Sequence, residues 1–130
     1  KFLTKLAETS LKFWAKKFIF IWLHTGNVEN MSNMFFGINC FSGSLEDYDN
    51  ISSWNVEKVK DMSSMFYNNG VFHEDISSWN VSSVTDMKTM FRDSGYSGDL
   101  SSWNVNEVVN CSGFGVGTYM TLPNFTNCIP

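Results

Sequence analysis

Asparagine and aspartate recur at one position of the chain where their oxygens could bind a cation. Asn50, Asp75 and Asp99 each stand directly before a short segment that leads to a tryptophan, at steps of 25 and 24 residues. Carboxylate and amide oxygens are the ligands that Ca²⁺ prefers, but they normally come from one short loop, which is missing here. We therefore interpret these residues as turn caps, and the sequence predicts no metal site.

The residues that catalysis needs are sparse. His24 and His73 are the two histidines, and they lie 49 residues apart. Neither accompanies a nucleophile motif such as G-x-S-x-G or a phosphate-binding G-x-x-x-x-G-K. The sequence therefore predicts a protein that is not an enzyme and that uses no cofactor.

Five asparagines stand in N-x-S/T sequons, the acceptor triplets of N-linked glycans. They are Asn30, Asn50, Asn80, Asn110 and Asn124. A chain rich in Ser and Asn also produces such triplets by chance. Glycosylation and accidental sequons therefore both stay open.

Composition limits the class of protein. The 130 residues amount to one domain, and a hydrophobic share of 43% with 16% aromatics excludes a disordered tail. A net charge of -4 disfavours binding to the phosphate backbone of nucleic acids. The longest purely apolar run, residues 18–23, is too short to span a bilayer.

Charge is divided unevenly along the chain. Residues 1–17 contain five Lys and one Glu and carry +4, whereas residues 18–130 carry -8. The chain starts at Lys1 without a recognisable signal sequence, so we expect a processed product or a piece of a longer protein.

A repeat of 24 or 25 residues organises the chain. Its first half reads Ile/Leu-Ser-Ser-Trp-Asn-Val-x-x-Val, around Trp54, Trp79 and Trp103. Its second half reads Val-x-Asp/Asn-Met-x-x-Met-Phe, with a degraded last copy, and its four copies begin at Val28, Val59, Val84 and Val108. One copy alone cannot bury its Trp, Met and Phe, whereas stacked copies form a continuous core. The sequence therefore predicts a solenoid.

The spacing within one repeat indicates the elements of each coil. Residues 76–84 match the L-x-x-L-x-L-x-x strand segment of leucine-rich repeats, with Trp79 and Val81 pointing inward. Asp86 then offers a cap for a helical turn that carries Met87 and Met90 on one face. We therefore expect an α/β, leucine-rich-repeat-like solenoid of about four coils, with one short parallel strand per coil and short helical turns on the convex side.

One repeat, residues 72–91, reads F-H-E-D-I-S-S-W-N-V-S-S-V-T-D-M-K-T-M-F. It resembles the repeat of the BspA-like leucine-rich-repeat surface proteins, which is F-x-x-D-I-S-S-W-D-V-S-x-V-T-D-M-x-x-M-F. The resemblance covers about residues 20–115. It implies a right-handed solenoid in a surface-exposed or secreted protein, used for adhesion or protein binding, and supplies no catalytic residues. The chain departs from the family by an insertion that makes residues 39–49 bulge from the regular coil.

The two ends of the chain differ from the repeats. Residues 1–17 place apolar side chains at helical steps with lysines opposite, the pattern of an amphipathic helix. This helix caps the first coil, or alternatively contacts an anionic membrane or a partner. The expected plan is a capping helix at 1–17, a solenoid at 18–115, and a cap or tail at 116–130 that leads into a further segment.

Three cysteines allow one disulfide and one remaining thiol. They show no C-x-x-C or Cys/His clustering, so a zinc site is unsupported. With coils stacked about 4.8 Å apart, Cys40 and Cys111 would be roughly 14 Å apart, beyond disulfide range. We therefore expect a disulfide between Cys111 and Cys128, the alternative being that Cys111 is a buried free thiol.

The outward residues of the expected strands form the candidate binding surface, a polar concave strip. In its asparagines, hydrogen bonds along the stack and hydrogen bonds to a ligand are both open interpretations. The strip consists of Ser53, Asn55, Glu57, Ser78, Asn80, Ser82, Ser102, Asn104 and Asn106.

These observations predict a non-catalytic recognition or adhesion module, located outside the cell or on its surface. Its expected partners are proteins or surface glycans and not nucleic acid, with membrane contact only through the N-terminal helix. The alternative is a structural subunit of a filament, surface layer or large complex.

Overall fold

The structure is a computed structural model, and it describes residues 26–38 and 51–130. The predicted capping helix at 1–17, the apolar run at 18–23 and the bulging loop with Cys40 lie outside the described residues. Asn50 and His24 lie outside them as well.

Regular secondary structure is nearly absent from the described ranges. They contain one helix, the 3-10 turn Ile51–Ser53. Strand pairing within them is limited to four isolated parallel bridges, which join Asn30 to Asp61, Asp61 to Asp86, Asp86 to Asn110 and Asp99 to Thr121. The predicted α/β class is therefore wrong, both in its strand per coil and in its convex helical turns.

Overlapping turns take the place of the predicted helical turns. We call residues 31–37, 62–68, 87–93 and 111–117 the turn ladder. In its second segment the amide of Met65 donates to the carbonyl of Met62 at 3.2 Å, and that of Tyr67 donates to Ser64 at 3.2 Å. Each turn therefore spans four residues, with a hydrogen bond from the last amide to the first carbonyl. The next turn begins two residues later.

The remaining amides of the turn ladder join one repeat to the next. Those of Met62 and Ser64 donate at 2.9 Å to carbonyls of the following repeat, at Asp86 and Lys88. The same register recurs between residues 31–37 and 61–67 and between residues 87–93 and 110–116. The repeats therefore stack through backbone hydrogen bonds without forming a sheet.

Positive φ angles explain why this stretch is not helical. Two residues of each segment, four positions apart, adopt the left-handed region: Asn33 and Gly37, Ser64 and Asn68, Thr89 and Asp93, Gly113 and Gly117. A helix needs every residue in the right-handed region so that each amide reaches the carbonyl four residues back. Each left-handed residue breaks that series, and alternate amides face the neighbouring repeat.

The predicted strands are also turns. The amide of Trp79 donates to the carbonyl of Ile76 at 3.1 Å, and that of Val84 donates to Val81 at 3.0 Å. All four of these side chains are nevertheless buried. The inward residues were thus predicted correctly although the backbone was not, because each four-residue turn has both its first and its last side chain in the core.

Aromatic side chains stack in register through the core. The rings of Trp54, Trp79 and Trp103 follow one another with centroids 6.4 Å apart and nearly parallel planes. The indole Nε1 of Trp79 donates to the carbonyl of Ile51 at 2.9 Å, and that of Trp103 donates to Ile76 at 3.1 Å. Trp79 and Trp103 therefore each fill their own repeat and fasten it to the preceding one.

The C-terminal residues lie over the last repeat. Phe125 packs edge-on against Phe114 with ring centroids 5.0 Å apart. A disulfide joins Cys111 to Cys128, with their Cα atoms 5.8 Å apart. Cys111 takes the place that Met62 and Met87 occupy in earlier repeats, so this covalent link fixes the tail to the core row.

Candidate functional site

The nine residues of the predicted strip lie on successive repeats as one polar surface, which we call the Ser/Asn face. All of them are exposed or half-buried. Between them in sequence stand three tryptophans, of which Trp79 and Trp103 are buried and Trp54 is half-buried against the core. The turns thus separate the polar side chains from the core, which is the separation expected of alternating strand residues.

Each asparagine of the face is held by its own turn. The Oδ1 atoms of Asn55, Asn80 and Asn104 accept hydrogen bonds from the amides two residues ahead, at 3.1, 3.3 and 3.2 Å. They are therefore Asx turns, and the asparagines do not hydrogen-bond to one another along the stack. Their Nδ2 groups donate to none of the residues at 26–38 and 51–130.

The serines of the face link neighbouring repeats weakly. Ser78 Oγ donates to the carbonyl of Ser52, and Ser102 Oγ donates to that of Ser77, both at 3.4 Å. Ser82 Oγ instead donates to Asn80 Oδ1 at 2.7 Å. The face is therefore built mainly from hydrogen bonds inside each turn.

A second row of polar side chains serves the stacking. Asn30 Nδ2 donates to Asp61 Oδ2 at 3.2 Å, and Asn110 Nδ2 donates to Asp86 Oδ2 at 3.0 Å. The Oδ1 atoms of Asp61 and Asp86 accept from the amides of Ser63 and Lys88 at 2.8 Å. Asp86 therefore caps a turn and not the predicted helix, and this row supports the turn ladder.

The sequons occupy different environments. Asn30 and Asn110 use their Nδ2 groups in the row just described. Asn30, Asn80 and Asn124 are exposed, and Asn110 is half-buried.

Asp75 and Asp99 are turn caps in their geometry. Their Oδ1 atoms accept from the amides of Ser77 and Ser101 at 2.9 Å. Hydrogen bonds from the side chain and then the backbone of the same serine lower the pKa of each carboxyl group. No three His, Cys, Asp or Glu residues are grouped to hold a metal ion in the part of the chain that the structure describes.

The sequence interpretation missed a cavity beside these caps. It has a volume of about 330 Å³, and its lining includes His73, Glu74, Asp75, Tyr96 and Asp99. Tyr96 is 2% exposed, and its hydroxyl has no hydrogen-bond partner. Burial first, and then the charges of Asp75 and Asp99, raise the pKa of Tyr96 to about 12, so the phenol is protonated at neutral pH.

The signal for this cavity was present in the repeat. Tyr96 and Gly98 take the places that Phe72 and Glu74 hold one repeat earlier. A Cβ atom at Gly98 would overlap with the Tyr96 hydroxyl oxygen. The hydroxyl of Tyr96 therefore fits at this position because residue 98 has no side chain.

Across residues 26–38 and 51–130 no helix has the length and apolar character needed to cross a bilayer.

Comparison with known proteins identifies a family. No curated protein and no solved structure matches the chain. A family model does match, and its span, residues 8–119, includes the whole turn ladder and the Ser/Asn face. The chain belongs to the family described as "Mycoplasma protein of unknown function, DUF285".

Proposed function

We propose that the chain is a non-catalytic recognition module of an extracellular or cell-surface protein, which binds a protein or glycan through the Ser/Asn face. The observation that carries the proposal is the row of Asn55, Asn80 and Asn104. Three successive repeats each carry one such Nδ2 donor at the equivalent sequence position, and these donors have no partner among the described residues. A row of equivalent donors suits a ligand with repeated acceptors, such as a peptide backbone or an oligosaccharide.

Fixed orientation supports this use of the face. Because each Oδ1 atom is bound to its own turn, the carboxamide has little rotational freedom to lose when a ligand binds. The disulfide of Cys111 and Cys128 agrees with an oxidising compartment outside the cytosol. The resemblance to BspA-like surface proteins favours the same location.

The test compares two double variants of equal charge. Asn80→Asp with Asn104→Asp keeps the Oδ1 acceptors and removes the Nδ2 donors of the face. Asn33→Asp with Asn68→Asp makes the same change at exposed positions of the turn ladder. Unglycosylated protein is applied to an array of neutral and acidic oligosaccharides and to a displayed-peptide library.

We expect a bound oligosaccharide or peptide whose affinity falls about tenfold or more in the face variant and stays unchanged in the ladder variant, as expected for lost hydrogen bonds. Equal effects of the two double variants would contradict the proposal. Absence of binding to both sets of probes would contradict it as well.

A structural subunit is the second candidate, favoured by exposed apolar side chains near the C-terminal end. Val116, Tyr119 and Ile129 are 51%, 96% and 89% exposed. Sedimentation velocity over a wide concentration range separates the two candidates. Oligomers that disappear in Tyr119→Ser with Ile129→Ser would support assembly, and a monomer at every concentration would exclude it.

A further inference from the structure

We propose that the cavity beside Tyr96 binds a primary ammonium group, as carried by a lysine side chain or a small free amine. The site combines the carboxylates of Asp75 and Asp99 with the buried Tyr96 hydroxyl. The proposal does not require the Ser/Asn face to bind anything, so the two can fail separately.

The first step of the argument is the hydroxyl itself. Tyr96 is almost completely buried, and a buried polar group without a hydrogen bond costs stability. The backbone amide of Ile76 lies close enough to oppose the rise in the pKa of Tyr96, but it makes no hydrogen bond to the hydroxyl. Since the preceding repeat has Phe72 at this place, stacked against Tyr96 with ring centroids 5.6 Å apart, packing alone does not need the oxygen.

The second step is the number of acceptors that the cavity offers. Asp75 and Asp99 each use Oδ1 in their own turn. The side chains of Ser77 and Ser101 also hydrogen-bond to these carboxylates and lower their pKa. With the Tyr96 hydroxyl oxygen, the two carboxylates still give the cavity more than one acceptor, and an ammonium group brings three N–H donors and no acceptor.

The third step separates ammonium from other cations. Ca²⁺ needs six to eight oxygen ligands, and the described residues contain no group that could hold a metal ion. A guanidinium group pairs best with both oxygens of one carboxylate, and Oδ1 of each aspartate is already engaged. Glu74 adds negative charge at the same cavity and favours a cation there.

The experiment is an NMR titration of the ¹⁵N-labelled full chain. The probes are Nα-acetyl-lysine amide, cadaverine, and the neutral Nα,Nε-diacetyl-lysine amide. We expect saturable shifts of the amides of residues 73–77 and 96–99 with one or both amines and none with the neutral probe. The ratio of the affinities for the two amines distinguishes a lysine side chain from a small free amine.

Three variants test the assignment of the atoms. Asp99→Asn is expected to weaken amine binding about tenfold or more, as for a lost charged hydrogen bond. Tyr96→Phe restores the residue of the preceding repeat, and should weaken binding severalfold without lowering the melting temperature. Glu107→Gln removes an exposed carboxylate that does not line the cavity, and should leave binding unchanged.

Four outcomes would overturn the proposal. They are the absence of saturable shifts, equal binding of the neutral probe, equal losses in Asp99→Asn and Glu107→Gln, and saturation by calcium chloride at lower concentration than by either amine. A fifth such outcome is wild-type amine binding by Tyr96→Phe, because the hydroxyl would then have no part in the site.

Discussion

The turn ladder and the Ser/Asn face are built from the same kind of turn but connect to their surroundings in opposite ways. In the turn ladder, alternate amides such as those of Met62 and Met87 donate to the next repeat, and an Asn/Asp row reinforces the contact. In the Ser/Asn face, the asparagines bond within their own turns. The first region holds the repeats together, whereas the second leaves its asparagine Nδ2 groups without a partner among the described residues.

This difference shows how a protein can stack without sheets. Each repeat forms inter-repeat backbone hydrogen bonds along one segment, and the tryptophan row supplies the contacts on the other side of the core. Side chains on the Ser/Asn face can therefore vary without breaking the stack. Four predictions test this division, from the largest expected effect to the smallest.

Trp79→Ala should be the most destabilising change, because it removes a buried ring and the Nε1 bond to Ile51 from the row that both regions share. We expect a loss of about 3 to 5 kcal/mol in the free energy of unfolding, measured by urea denaturation. Ser82→Ala, on the exposed side of the same repeat, is the control, with an expected change within about 0.5 kcal/mol. Similar values for the two variants would show that the tryptophan does not hold the core.

Cys128→Ser should release the C-terminal residues from the last segment of the turn ladder. The disulfide closes a step of 17 residues, and its loss is expected to cost about 3 kcal/mol in the chain-entropy account. Denaturation of wild type in a reducing buffer should give the same midpoint as the variant. An unchanged midpoint in both cases would mean that the end of the stack is stable without the link.

Asp86→Ala and Asn80→Ala compare one turn cap from each region. Asp86 also accepts from Asn110, so its removal leaves two donors without a partner and should cost about 2 kcal/mol. Asn80 caps only its own turn, and its loss should cost about 0.5 to 1 kcal/mol. Thermal unfolding of both variants measures the difference, and equal costs would remove the distinction between the two regions.

Acid should slightly destabilise the turns that are capped by Asp75 and Asp99. The pKa values of Asp75 and Asp99 are lowered in the folded state by hydrogen bonds from Ser77 and Ser101. Their contribution is therefore complete above the unfolded pKa of about 3.9 and is lost as the pH falls through the lower folded values.

The double variant Asp75→Asn with Asp99→Asn measures this contribution. Between pH 5 and pH 2, the melting temperature of this variant should fall by less than that of wild type. A wild-type acid response in the variant would assign the loss to other carboxylates.

The sequence predicted the interior better than the backbone. The repeat placed Trp79, Val81 and Val84 in the core, and the structure buries all three. The tryptophan period and the apolar spacing are enough to predict these core residues, because stacked repeats bury the apolar side chains that recur at equivalent positions. The same spacing is compatible with strands and with turns, so it could not choose between them.

Left-handed residues are the reason that the predicted helices failed. Ser64 and Thr89 adopt φ angles of 53° and 51°, which Ser and Thr seldom do, and their residue types gave no warning. The available signal was the Gly, Asn or Asp that fills the same two positions elsewhere, namely Asn33, Gly37, Asn68, Asp93, Gly113 and Gly117. Hydrogen bonds to the next repeat offset the backbone cost, and such a contribution is invisible in one repeat read alone.

The structure leaves the predicted binding residues exposed or half-buried, and their membership of a binding site stays a prediction. Their hydrogen bonds depend on the turn geometry and not on the period. The cavity beside Tyr96 required a comparison of two repeats, in which Phe72 and Glu74 become Tyr96 and Gly98. In this chain the cavity is indicated by two residues that differ between copies of the repeat, and not by the residues that the copies share.

Scalar couplings across hydrogen bonds test the turn ladder most directly. In a long-range HNCO spectrum of the ¹³C,¹⁵N-labelled chain, we expect cross-peaks from the amides of Met62, Ser64 and Phe66 to the carbonyls of Asp86, Lys88 and Met90. Couplings from these amides to carbonyls four residues back would instead show a helix and contradict the account.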